Sequence, residues 1–199
     1  MGIVTRGFRG RRGGGDVKLP PGQYLETGFP VLSAGPTPQI APAAWAFEIT
    51  TESGEEHRWS WVELQALPRE DITVDIHCVT KWSKLGSRWT GVSLDTLLSG
   101  IDTQASYAMV HSYGGYTTNL PLDDLRNGQA WVAYGYDDRP LRPEHGGPAR
   151  LLVPHLYFWK SAKWVQRLEL LTEDRLGFWE RAGYHAYGDP WREQRYAGD

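Results

Sequence analysis

Apolar and polar positions alternate along several short stretches of the chain, and few stretches carry a helical period. Ile72, Val74, Ile76 and Cys78 fall on one face of a period-two run, with Thr73, Asp75 and His77 on the other, which predicts a strand over residues 71–79. Residues 45–50 alternate in the same way. Thr51-Glu52-Ser53-Gly54 then reads as a turn into His57-Arg58-Trp59, so a hairpin is expected. Residues 107–111, 130–134, 150–154 and 164–171 complete the set of predicted strands. The predicted helices are short. Ser60-Trp61-Val62-Glu63 fits a capping box that opens a helix ending before Pro68, and Ser93 caps a second through Leu94, Leu97 and Leu98 that Gly100 ends. Pro121 opens a third over residues 122–126. The pattern predicts an α+β protein of mixed β-sheets with short helices, and no internal repeat is visible.

The remaining segments lack periodicity. Residues 1–17 are rich in Gly and Arg and are expected to form a disordered basic tail, followed by a single domain over residues 18–199. Residues 19–39 are punctuated by Pro and Gly and should run extended, across the surface or along a cleft. Thr80, Lys81, Trp82, Ser83, Lys84 and Gly86 read as a loop, and the segment beyond Thr172 is aromatic and charged without a period.

Composition narrows the function classes. A formal net charge of -3 gives no electrostatic reason to expect nucleic acid. No apolar run approaches the roughly 18 residues of a membrane span. The basic start is followed by glycines where an export signal would be apolar, so the cytoplasm is the expected compartment. A monomer is the expected state. One cysteine excludes an internal disulfide. Ten tryptophans and ten tyrosines are enough to fill a core and also to line a pocket for a flat ligand.

Two constellations carry chemistry. Cys78 lies at the end of a predicted strand, with His77 beside it and Lys81 and Lys84 following, an arrangement that would favour a thiolate as nucleophile or metal ligand. A buried lone cysteine is also commonly an inert apolar residue. Zinc is disfavoured, because no second cysteine and no closely spaced histidine pair exist. A Cys–His hydrolase with His111, His145 or His155 as base stays open on residue type alone. The second constellation is HGGPARLLVPHLYFWKSAKW, residues 145–164. Its glycines permit close backbone approach, and Arg150, Lys160, Lys163 and Ser161 are groups suited to holding a phosphate, although a plain turn and a solvated lysine face would read alike. No GxGxxG or Walker pattern occurs.

Together, the cysteine strand with WTGVSLDTLL and the later HGGPARLLVPHLYFWKSAKWV resemble the molybdopterin-binding domain of the sulfite oxidase family, over residues 19–171. The resemblance implies a sulfite oxidase-type fold and a molybdenum–molybdopterin cofactor, with Cys78 as the metal ligand. It implies cofactor contacts at His145 and, five residues on, Arg150. Further contacts fall on Ser161, Ala162 and Lys163, with Lys160 adjacent, and near Ser112. His77 flanks the ligand, and Trp82 and Lys81 would stand by the substrate mouth as catalytic residues. Sulfite oxidases carry arginines soon after the ligand cysteine, where this chain has Lys81-Trp82-Ser83, and their N-terminal Arg-Asn-His becomes Glu26-Thr27-Gly28. The pattern Cys-Val-x-x-Trp-Ser is instead similar to the bacterial periplasmic reductases of protein methionine sulfoxide. The expected activity is oxygen-atom transfer on a small sulfur- or nitrogen-oxide substrate. With no haem or iron–sulfur motif in the sequence, electrons are expected to come from a separate flavin or haem protein. A non-catalytic binding module of the same fold is the alternative.

Overall fold

The computed structural model describes residues 18–199, so the expected basic tail lies outside the described residues. Local chemistry sets several elements directly. The predicted hairpin pairs β2 (Ala46–Thr50) with β3 (Glu56–Ser60), following a two-residue β1 (Tyr24–Leu25). α1 (Trp61–Ala66) opens on the capping box, in which Glu63 N–H donates to Ser60 Oγ and Ser60 N–H donates to the Glu63 carboxylate. β4 (Glu70–His77) leads through a tight turn into β5 (Trp82–Ser93), and α2 (Leu94–Leu98) follows with Ser93 as its cap. β6 (Tyr107–Ser112), β7 (Thr117–Pro121), β8 (Trp131–Tyr136), β9 (Arg139–Pro140), β10 (Arg150–Leu152) and β11 (Val165–Leu171) complete the strands, and α3 (Phe178–Arg181) is the last helix.

These strands form two sheets. In one, β1, β5, β8 and β10 follow in order, with β4 on β5 and β9 on β8. The other runs β3-β2-β11-β6-β7. Only β1 with β5 and β11 with β2 pair in parallel. Gly91 lets β5 cross closely over β8, since a Cβ there would stand 2.6 Å from the Val132 carbonyl oxygen. One apolar cluster fills the space around Trp45, Phe47, Val92, Leu120 and Val165, and a second, rich in tryptophan, surrounds Ile76, Trp82, Trp89 and Tyr157.

Two expectations need correction. The segment read as a loop from Thr80 to Gly86 is mostly the start of β5, a twelve-residue strand pairing with both β4 and β8. Strict alternation in β4 also fails: the ladder shifts between Val74 and Ile76, and His77 is buried along with Cys78 rather than facing away from the core.

Candidate active site

The turn between β4 and β5 holds Cys78 in place. Lys81 N–H donates to the Cys78 carbonyl (3.0 Å) and Cys78 N–H to the Trp82 carbonyl (2.8 Å), while Lys81 takes a positive φ of 79°. The thiol is 8% exposed and forms part of the wall of a cavity of about 520 Å³, a size suited to a cofactor or drug-sized ligand. Thr80 Oγ1 donates to Sγ at 3.1 Å. Burial pushes the thiol up. The Thr80 hydroxyl, the charge of Arg195 and the N–H groups of Thr80 and Val79 work in the opposite direction, each favouring an anionic sulfur. The cations expected to act on the thiol, Lys81 and Lys84, do not: Lys81 is exposed and does not line the cavity, and Lys84 Nζ donates to the Thr27 carbonyl at 2.7 Å. The helpful charge comes instead from residue 195, which the sequence reading did not single out.

The second constellation forms another part of the wall. Gly146 takes the left-handed conformation (φ 109°) after the 3-10 turn Pro143–His145, and what its bare Cα approaches is the chain's own Arg150 and Lys163. Arg150 is fully buried. It donates to the carbonyls of His145 and Ser161, and its guanidinium lies 4.1 Å from the Phe158 ring centroid. Lys163 Nζ donates to the carbonyls of Leu32 and Glu144, both at 2.6 Å. His145 itself does not line the cavity; it stands behind Phe29, which does, with ring centroids 4.0 Å apart. Burial holds all three basic groups low, and the Arg150 charge adds to it for the other two: His145 stands at about 4, Arg150 at about 9 and Lys163 at about 8. Such a cluster gains from an arriving anion.

The other predicted residues divide. Ser161, Ala162 and Trp82 line the cavity with Cys78, and Trp82 leaves its buried indole N–H without a partner. Ser112 faces a separate polar recess of about 400 Å³, with His111, Arg58 and Arg167, and its hydroxyl is buried and unpartnered. The two spaces share Gly115 and Tyr116 in their walls. His77 lies behind the cavity with its Nδ1 at 2.8 Å from Ser83 Oγ. Lys160 is a correction. Its ammonium is 0% exposed, pairs with Glu180 at 2.7 Å and donates to Asn119 and Ala186, so no donor remains for a phosphate.

Sequence reasoning missed the aromatic part of the wall. Tyr116, Trp159, Phe178, Trp179 and Tyr184 all line the cavity, the last three from the segment without a period. Their only signal was a density of aromatic residues too high for a solvated tail. The expected extended segment does border the cavity, through Phe29, Pro30 and residues 32–36.

His145 gives a pH prediction. An unfolded histidine titrates near 6.5, whereas the folded His145 is held at about 4, so the folded chain binds fewer protons between those values. Its contribution is therefore fully present above about pH 6.5 and is lost as pH falls toward 4. His77, His111 and His185 are lowered too and will keep some slope. Thermal midpoints taken at pH 7 and pH 5 should converge in His145→Asn relative to the native chain, and an equal drop in both proteins would remove this role from His145.

A molybdopterin-bound metal fits this donor set. A soft sulfur with a hydrogen-bond donor stands at the cavity wall, the buried Trp82 indole N–H in the same wall has no partner, and the depressed cations Arg150 and Lys163 line it too. Residues 34–179 match the family model described as oxidoreductase molybdopterin binding domain. An uncharacterised oxidoreductase of Bacillus subtilis, YuiH, is 42% identical over 92% of this chain and 93% of its own length. The catalytic subunit MsrP of a protein-methionine-sulfoxide reductase from Pseudomonas syringae is 25% identical over 82% of this chain, and human mitochondrial sulfite oxidase 23% identical over 76%. The chain spans only 53% and 34% of those two proteins. In fold it is similar to the sulfane dehydrogenase SoxCD of Paracoccus pantotrophus, with a TM-score of 0.63 at 18% identity over 74% of this chain and 42% of the other. The chain thus belongs to the oxidoreductase molybdopterin-binding family of sulfite oxidase-type proteins, with molybdenum–molybdopterin as its cofactor.

Proposed function

We propose that the protein transfers an oxygen atom from an uncharged sulfoxide or N-oxide, with electrons supplied by a separate redox protein. The observation that carries this reading is the make-up of the wall around Cys78. Trp82, Trp159, Trp179 and Tyr184 line the cavity, and neither Lys81 nor Lys84 does. A pyramidal oxyanion such as sulfite would require fixed cations beside the ligand sulfur in addition to those that hold the cofactor phosphate, and Arg150 and Lys163, the two cations of this wall, are the groups assigned to that phosphate. Aromatic faces suit a small polarisable, neutral group. Relatives named for sulfoxide reduction support the same choice of substrate class.

The bound cofactor supplies the two-electron oxygen-transfer chemistry. Within the chain, Cys78 would hold the metal, and His145, Arg150, Ser161, Ala162 and Lys163 would hold the pterin and its phosphate. Thr80 would steady the ligand sulfur, and the aromatic wall would keep bulk water from the reacting centre. Among the described residues no helix is long and apolar enough to cross a membrane. A monomer in the cytoplasm, served by a flavin or haem protein, completes the proposal.

The test uses protein made in a host that synthesises molybdenum cofactor, with a reduced viologen as artificial donor. Dimethyl sulfoxide or trimethylamine N-oxide should oxidise the dye, each oxide taking two electrons and two protons to give the sulfide or amine and water. Sulfite offered with ferricyanide should give little turnover. Rapid sulfite oxidation, with no oxide reduction by metal-loaded protein, would overturn the substrate assignment.

A further inference from the structure

After β11 the chain returns over the cavity as a strap, residues 172–199. Buried Glu180 pins it, taking hydrogen bonds from Thr118 and Trp159, and Asn119 donates to Asp174 at 2.8 Å. The end of the strap folds on itself through a bridge between Tyr184 and Tyr196, and His185 N–H donates to the Arg195 carbonyl. This delivers Arg195, only 5% exposed, to the back of the ligand turn. One guanidinium nitrogen donates to the Val79 carbonyl at 2.7 Å and the other to the Pro21 carbonyl at 3.1 Å, with the Tyr157 ring 5.0 Å from the guanidinium carbon. Its nearest carboxylate, Glu193, is half exposed and 3.5 Å from Nε. The neighbouring Cys78 carbonyl is held by Gln23 Nε2 at 3.0 Å. Both carbonyls that lead out of Cys78 are thus gripped from outside the hairpin.

We propose that Arg195 is a positioning residue for the metal-ligand turn: it fixes Val79 and sets a buried positive charge behind the turn that carries the Cys78 sulfur, raising the reduction potential of the molybdenum held there. The proposal rests on the cofactor assignment above. The family model stops at residue 179, so this group lies beyond the matched region. Arginine suits the task because its planar fork reaches two carbonyls at once and stays charged when buried. Charge acts strongly here because the site is shielded from water. A nearby cation stabilises the more electron-rich state, and removing it lowers the potential.

The experiment compares the native chain with Arg195→Gln, Arg195→Lys and Glu193→Gln, each loaded with cofactor, reading metal content by mass spectrometry and potential by redox titration of the molybdenum paramagnetic signal. Arg195→Gln should titrate at a lower potential than native protein, Arg195→Lys close to native, and Glu193→Gln slightly higher, because it removes the opposing carboxylate. A role confined to packing would move metal content in both Arg195 variants and leave the potential in place. An unchanged potential in loaded Arg195→Gln overturns the proposal. Should that variant not fold, an unchanged potential in Glu193→Gln, whose side chain is half exposed, does the same. Absence of molybdenum from the native chain would instead count against the cofactor assignment, and the two failures are told apart by the metal analysis.

Discussion

Cys78→Ser should lose molybdenum-dependent turnover by more than about 100-fold while keeping its fold. Substitution of groups that merely support a metal ligand costs about 10- to 100-fold, so loss of the ligand itself should exceed that range. A serine hydroxyl is a harder and far less acidic ligand than a thiol, and the donors around Sγ cannot convert it to an anion at neutral pH. Stability should change little. The replacement is nearly isosteric, and Thr80 with the neighbouring N–H groups can satisfy an oxygen, which keeps the difference within about 1.5 kcal/mol. Metal analysis, dye-linked turnover and a thermal melt on the same preparations check all three points. Native turnover in the variant would remove the metal-ligand role.

The largest effect on stability is expected at Glu180→Ala. Lys160 and Glu180 form a fully buried ion pair at 2.7 Å, and Glu180 also accepts from Trp159 Nε1 at 2.9 Å and Thr118 Oγ1 at 2.8 Å. Truncation leaves an uncompensated buried ammonium with two further donors orphaned, which costs about 3–5 kcal/mol. For a chain of this size that is roughly a 10 °C loss in Tm. Burial already holds Lys160 below its usual range despite its partner, so without Glu180 it should shed its proton more readily. Lys160→Met combined with Glu180→Gln should recover much of the loss, because the amide can still accept from Trp159 and Thr118. A melt of Glu180→Ala indistinguishable from native would show that the pair does not anchor the strap.

What could be read from the sequence was what short-range chemistry decides. The hairpin at residues 46–60, the capping box at Ser60 and the cap at Ser93 depend on neighbours a few residues apart, and each forms where expected. The motif around Arg150 likewise brought Ser161 and Lys163 to the cavity that Cys78 lines. What failed depends on distant partners. Ser83, Lys84 and Gly86 resemble a loop, yet β4 on one side and β1 on the other draw their segment into a strand. Lys160 looked available for phosphate until Glu180 claimed it. The aromatic strap has no internal period because its order comes from Thr118, Asn119 and Trp159, which lie 62, 55 and 21 positions away from the groups they hold.

The clamp on the ligand turn also constrains the order of biogenesis. Gln23 grips Cys78 from near the start of the described chain and Arg195 grips Val79 from near its end. Chains are made from the N-terminus onward, so the turn reaches its final shape only after residue 195 has emerged from the ribosome. Loading of the cofactor onto a settled thiolate therefore follows the emergence of residue 195, and a nascent chain arrested before the strap should be a poor acceptor for it.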